Sequence, residues 1–232
     1  MLKWCATGLL CLSLGSVSAL GQGAPALDIF TSADGTFQFV YPENYQLLVG
    51  ERMLKATQAR NGGIPVCDFS TALVCVIYPV ETAAVEAEGD GRFEAAGFSV
   101  RAVAEVMSES DCLNYADLVA RVASEPSPLL AKDARSGAPP FLVTSIAING
   151  RVFRHVSVRK TIVGHLQAVD SYRTFQAQKC YEVLIEVSMA DEPAVRKAAQ
   201  STSLGGPGAD SARESLRLIL SSMVFEGKSE GK

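Results

Sequence analysis

Between residues 141 and 189 the chain repeats a pattern that strands satisfy, and the rest of it reads as cover for the sheet they build. Tyr181, Val183, Ile185, Val187 and Met189 alternate with Cys180, Glu182, Leu184, Glu186 and Ser188. A period of two sends the first set to one face and the second to the other. Asn149-Gly150 separates two extended runs, 141–148 and 151–158. The pair suits a two-residue type I′ hairpin, because both central residues need positive φ and Asn and Gly tolerate it best. Three or four successive antiparallel strands are therefore expected here.

Upstream, the first strand is expected over residues 34–42, with Phe37, Phe39 and Tyr41 on one face and Pro42, which has no amide hydrogen to give, at its end. Glu51 to Arg60 predicts two helical turns before Asn61-Gly62-Gly63 breaks them. Residues 73–78 are continuously apolar and bounded by Pro79, the pattern of a central strand buried on both faces. Residues 96–103 alternate again. A helix follows, with Ser108 as cap, Asp111 in the first turn, and Tyr115, Leu118, Val119 and Val122 as its stripe. Beyond Met189, a short helix is expected over 191–200 and a surface loop over 204–208. The last helix starts at Ser211, boxed by Glu214, and presents Ala212, Leu216, Ile219, Leu220 and Met223.

The N-terminus reads as an address. Met1-Leu2-Lys3 is a short positive start, Ala6 to Leu14 an apolar core too short to span a bilayer, and Val17-Ser18-Ala19 a signal-peptidase site. Leu10 stands where a small residue should precede a lipidated Cys11, which argues against a lipid anchor. The expected organisation is a signal peptide over 1–19, a flexible segment over 20–34, one α+β domain over 35–227 and a disordered tail over 228–232. The mature protein is thus expected in the periplasm or outside the cell, with no stable membrane insertion. Four cysteines survive cleavage, Cys67, Cys75, Cys112 and Cys180, and an even number in an oxidising compartment favours two disulfides. Of the three pairings, Cys67 with Cys75 is preferred because a short polar turn lies between them, leaving Cys112 to reach Cys180. By loop-closure entropy the short bridge contributes about 2.5 kcal/mol and the long one about 4 kcal/mol.

Removing the leader takes away one lysine and no acid, so the net charge passes from −4 to −5. An acidic chain with no Lys/Arg block longer than Arg159-Lys160 lacks the basic stripe that phosphate neutralisation requires, which excludes nucleic acid as an expected partner. Zinc needs Cys-x-x-Cys spacing or interleaved histidines, and neither occurs. No metal or cofactor is expected.

Only His155 and His165 are available for acid–base chemistry. Pairing of 152–159 with 165–173 sets His155 opposite about residue 169 and His165 opposite about residue 159, too far apart to share an ion. Glu182 and Glu186 share one strand face, but four residues at about 3.3 Å each separate them by about 13 Å, outside glycosidase spacing. Their expected role is exposed pairing with Arg173, Arg154 or Arg159, worth less than about 1 kcal/mol each. The basic residues Arg151, Arg154, Arg159, Lys160 and Arg173 point to a modest anion-binding surface. Arg154, His165, Arg173 and Glu182 are the candidate residues of a ligand surface, the ligand itself being unspecified.

Strands followed by a helix, a meander and a final helix imply an α+β domain, an antiparallel sheet with helices packed on its faces. The entry Phe37-Gln38-Phe39-Val40-Tyr41-Pro42, the meander ending in Tyr181-Glu182-Val183-Leu184, and the close Ser221-Ser222-Met223-Val224-Phe225 resemble the PsbP-like superfamily, whose members are α/β/α sandwiches. A Trp commonly follows the Tyr-Pro entry in that superfamily, whereas here Tyr45 stands nearby instead, and the cysteine-bearing insertion over residues 50–75 departs from the pattern. The resemblance implies an exported, non-catalytic accessory or binding domain with a protein or small-molecule partner. The alternative is a secreted hydrolase with a catalytic set that the spacing does not display.

Overall fold

A computed structural model describes residues 25–53, 66–67, 70–79, 93–104, 106, 108–114, 142–162, 165–190 and 207–226. The N-terminal half supplies β1 (Leu27–Thr31), β2 (Phe37–Pro42), β3 (Gln46–Val49), β4 (Ala72–Ile77), β5 (Phe93–Val103) and the short helix α1 (Glu109–Leu113). The meander follows as β6 (Leu142–Ile148), β7 (Arg151–Ile162), β8 (His165–Gln176) and β9 (Lys179–Ala190). Helix α2 (Pro207–Ser221) and β10 (Val224–Phe225) complete the described elements. Every pairing is antiparallel. The large sheet is ordered β3-β4-β5-β9-β8-β7-β6 and the small one β1-β2-β10.

The alternation in β9 becomes two buried faces. Tyr181, Val183, Ile185, Val187 and Met189 join one core with Ala212, Leu216, Ile219, Leu220 and Met223 of α2. The small sheet lies in the same layer as α2 and turns its aromatic side inward. Phe39 meets Phe98 at 5.1 Å and Phe37 meets Tyr181 at 5.8 Å, both edge-on, the arrangement ring quadrupoles prefer. The other face of β9 bears Cys180, bonded to Cys112 of α1, so a covalent tether holds that helix against the sheet. Cys67 is bonded to Cys75. Residues 66–67 press on β5 at Gly97, where an added Cβ would stand 2.7 Å from the Val66 carbonyl oxygen, so only glycine fits.

Two hairpins organise the meander, and they differ in chemistry. Asn149 and Gly150 sit at φ 47° and 78° between the paired Ile148 and Arg151. The Asn149 Nδ2 also donates to the carbonyls of Ser221 and Met223, at 3.0 and 2.9 Å, and so satisfies backbone acceptors at the end of α2. The β8–β9 turn places Ala177 and Gln178 at φ 48° and 60°, a left-handed geometry neither residue favours.

Several expectations are corrected. Residues 27–31 of the segment expected to be flexible form β1, and the strand expected from residue 34 starts at Phe37. Strand β4 lies second from the sheet edge and not at its centre, and its Leu73 is exposed. Strand β7 runs on to Ile162, so His155 faces Tyr172 and His165 faces Ile162, three positions from the expected register. Ser108 does cap α1, accepting from the Asp111 amide at 3.1 Å, but Asn114 turns extended and ends that helix after Leu113. Helix α2 begins at Pro207, not Ser211, because proline's fixed φ suits a first helical position. Of the helix expected over 51–60 only residues 51–53 are described, and they are helical; the stripe from Tyr115 to Val122, the helix over 191–200, the leader and the 228–232 tail lie outside the described residues.

Replacing Ala177-Gln178 by Asn-Gly should stabilise the fold by about 1–2 kcal/mol, read as a higher urea midpoint at unchanged m-value. No gain would mean the turn carries no strain. Cys180→Ser should cost about 2–5 kcal/mol, and an unchanged melting curve of the oxidised protein would contradict the tether.

Candidate functional site

Three of the four candidate ligand-contacting residues come together, and the way they do so changes their role. The register aligns Ser145, Arg154, Arg173, Glu182 and Arg101 in one row across β6, β7, β8, β9 and β5. Glu182 is fully buried, where exposed pairing was expected. Its Oε1 accepts from Arg173 Nε at 3.1 Å and Ser171 Oγ at 2.7 Å, and its Oε2 accepts from Arg101 Nε at 2.6 Å. Arg101 Nη2 also closes on Oε2. Burial pushes the Glu182 carboxyl up, but the Arg101 and Arg173 guanidiniums and the Ser171 hydroxyl outweigh it and leave its pKa lowered. Arg173 is likewise buried and Arg154 half-buried, with its Nη1 on Ser145 Oγ at 2.8 Å. His165 lies eight residues along β8 from this row, its Nδ1 2.8 Å from Glu94. Arg173 and Glu182 form a core ion pair, Arg154 stands beside it on Ser145, and His165 forms a separate strand-end pair with Glu94. They do not form one open surface.

A second polar cluster, not anticipated from the sequence, joins the sheet to α2. Asp170 is only 2% exposed and receives Arg213 through Nε and Nη2, both at 2.6 Å, and Arg217 Nη2 at 3.4 Å. His155 Nε2 lies 3.2 Å from Asp170 Oδ1, and its Nδ1 lies 3.2 Å from Thr144 Oγ1. A proton on Nε2 satisfies both contacts. Burial pushes the Asp170 carboxyl up, yet the His155 contact and the Arg213 guanidinium hold it well below the usual carboxylate range. Burial and the Asp170 charge push the Tyr172 hydroxyl up to about 12. Thr144, His155 and Asp170 thus have the order of a hydroxyl, a base and an orienting carboxylate. The imidazole, however, stacks on Tyr172 with centroids 4.4 Å apart, and the carboxylate is shared with a forked guanidinium. No local motif marks this cluster, since Asp170 and Arg213 are brought together only by tertiary packing.

Open space lies elsewhere. A cleft of about 400 Å³ between the small sheet and α2 is lined by Leu27, Val40, Pro42, Tyr45, Tyr78 and Leu218, among others. Tyr45 and Tyr78 meet edge-on at 5.2 Å along it. The register places Leu27, Ile29, Val40, Pro42 and Val224 on the outward side of the small sheet, continuous with this cleft. Leu27 is 63% exposed, Ile29 64% and Leu218 63%. A polar hollow of about 460 Å³ lies near the β8–β9 turn, with Asp34, Thr36, Lys179, Tyr181 and Glu226 in its lining. Hydrogen bonds from Thr36 and Ser32 lower the Asp34 carboxyl to about 2. Among the described residues no three His, Cys, Asp or Glu side chains gather as a metal site, and no helix is long and apolar enough to cross a membrane.

No protein-family model and no curated protein matches the chain. Solved structures similar to it in fold include cyanobacterial PsbP from Synechocystis sp. PCC 6803, at 13% identity over 92% of this chain and 99% of that one, TM-score 0.42. The Ran-binding protein Mog1p of Saccharomyces cerevisiae is similar at 11% identity over 89% and 98%, TM-score 0.43. LpqN of Mycobacterium tuberculosis, described as involved in cell envelope biogenesis, is similar at 8% identity over 86% and 90%, TM-score 0.43. These are likenesses of fold.

Asp170→Asn should cost about 3–5 kcal/mol at neutral pH, because it strips the charge from a buried pair and leaves the cations. The Asp170 pKa is depressed in the folded state, so its contribution is complete above the unfolded value of about 3.9 and is lost as pH falls below it. The wild type should therefore lose stability on acidification more steeply than the variant. Parallel acid limbs in urea titrations would refute the clamp.

Proposed function

We propose that this chain is an exported, non-catalytic binding or accessory domain whose ligand is held at the apolar cleft and the outward side of the small sheet. The observation that carries this reading is where apolar surface is left exposed. Of six large exposed hydrophobic side chains among the described residues, Leu27, Ile29, Leu218 and Val224 belong to this one region. Exposed apolar area concentrated on one face marks an interaction site, whereas scattered single residues carry no such message. Export is supported by the leader-like N-terminus and by two disulfides, which persist in oxidising compartments. The polar groups best suited to chemistry are meanwhile committed: Glu182 and Asp170 are buried in ion pairs.

One observation favours a second reading, a secreted hydrolase using Thr144, His155 and Asp170 in sequence. Neither of the two cavities above includes Thr144 or His155 in its lining.

The two readings separate in one set of measurements. The neutral dye Nile red should bind the mature protein. Ile29→Ser with Leu218→Ser should weaken that binding about tenfold while changing stability by less than about 0.5 kcal/mol, as expected for exposed positions. Hydrolysis of p-nitrophenyl acetate should be the same for wild type, Thr144→Val and His155→Gln. Turnover abolished in both of those variants would install the hydrolase reading, and dye binding indifferent to Ile29 and Leu218 would remove the binding one.

A further inference from the structure

We infer that the apolar face receives a cationic, amphipathic protein segment, an inference that rests on the binding reading above. The face itself is uncharged: the outward side chains of Leu27, Ile29, Val40, Pro42 and Val224 run into the cleft beside Leu218. Its rim is acidic. Glu43 follows β2, its amide bonded to the Ala26 carbonyl at 2.9 Å, and so sits beside Leu27. Asp28, on the open edge of β1, pairs with the inward-facing Tyr41, whose hydroxyl donates to its Oδ2 at 2.9 Å while its Oδ1 accepts from the Ile29 amide at 2.8 Å, so it reaches the rim only at the strand edge. Glu226 follows β10 at the opposite end, its amide bonded to the Thr36 carbonyl at 2.9 Å. Glu214 stands one helical turn before Leu218 with its side chain 68% exposed.

Three of these carboxylates differ from the ion-paired ones of the fold, while Glu214 lies 3.9 Å from Arg217. Asp34, Glu94, Asp170 and Glu182 each lie within 4.0 Å of a cationic or histidine nitrogen. Asp28, Glu43 and Glu226 have no such partner among the described residues. The neighbouring cations are engaged: Arg217 reaches Asp170 at 3.4 Å and Glu214 at 3.9 Å, Lys179 reaches Asp34 at 3.5 Å, and Arg151 lies 5.9 Å above the Phe225 ring. An apolar patch with carboxylates at its rim that no cation of the described residues pairs, Glu43 and Glu226, selects a partner that carries apolar side chains flanked by lysine or arginine, since complementary rims steer encounter and penalise like-charged competitors. The same rim disfavours an anionic lipid surface, whose potential attracts basic rather than acidic protein faces. It also disfavours nucleic acid.

The test uses the oxidised mature chain and two peptides of one helical design, Leu/Lys and Leu/Gln, titrated at low and high salt, with phosphatidylglycerol vesicles as a third probe. The Leu/Lys peptide should bind about tenfold or more tightly than Leu/Gln at low salt, and that preference should fade at high salt. Glu43→Gln, Glu214→Gln and Glu226→Gln together should abolish the preference, while Glu51→Gln with Glu109→Gln, which removes exposed charge elsewhere, should preserve it. Leu27→Ser with Ile29→Ser should weaken both peptides, and vesicles should not bind. Equal binding of the two peptides, still dependent on Leu27 and Ile29, would overturn the charge inference and leave the binding reading intact. Equal loss in the rim and control variants, or tighter binding to vesicles than to peptide, would overturn it too. Peptide binding indifferent to Leu27 and Ile29, or no binding of either peptide, would take the binding reading down with it.

Discussion

Strand β9 has no solvent face along most of its length, and the remainder of the fold is arranged to make that tolerable. It pairs with β5 on one side and β8 on the other, so it joins the N-terminal strands to the meander. Its odd-numbered residues are covered by α2 and the small sheet. Its even-numbered face includes Glu182 and Ser188, both buried, and a buried carboxylate is admissible only with charged donors on it. Arg101 and Arg173 therefore have to lie across from Glu182 on the two neighbouring strands, which is where the register puts them.

This requirement specifies structure more than it adds stability. A buried ion pair gains little over an apolar equivalent, but a mismatched one is costly. A one-residue slip of β9 would carry Glu182 into the apolar core under α2 and expel Val183 or Tyr181 from it. Asp170 imposes the same kind of constraint on the helix. Because Arg213 engages it with two nitrogens, α2 is fixed in rotation as well as position, and Leu216, Ile219 and Leu220 are then directed onto the sheet. The two buried carboxylates thus set strand register on one side and helix rotation on the other.

What was legible beforehand divides along the range of the interactions involved. The Asn149-Gly150 hairpin, the alternation in β9, the Ser108 cap and the apolar stripe of α2 depend on neighbours a few residues apart, and all are present. Strand β1 leaves no polar-out signature, because its exposed Leu27 and Ile29 are as apolar as Phe30, the one residue drawn inward. The β8–β9 turn gave no signal, since Ala177 and Gln178 adopt positive φ without being residues that favour it. The burial of Glu182 was illegible for a different reason: a glutamate alternating with apolar residues reads as solvent-facing until long-range packing covers it. The Asp170 clamp and the acidic rim likewise depend on segments far apart in the chain.

The apolar face is itself a product of that long-range assembly. It is built from β1 and β2 near one end of the chain and from Leu218 and β10 near the other, joined by Ser222, whose hydroxyl accepts from the Val40 amide at 2.9 Å and lies 3.2 Å from the Val40 carbonyl. Behind the outward residues stand Phe37, Phe39 and Phe225, rings packed into the main core. The face therefore exists only when the C-terminal segment has docked on β2, and its geometry is held by the same aromatic cluster that seals the sheet. Any molecule that bridges Leu27 and Leu218 binds the assembled state and not the separated ends, so occupancy there is thermodynamically linked to closure of the small sheet onto α2.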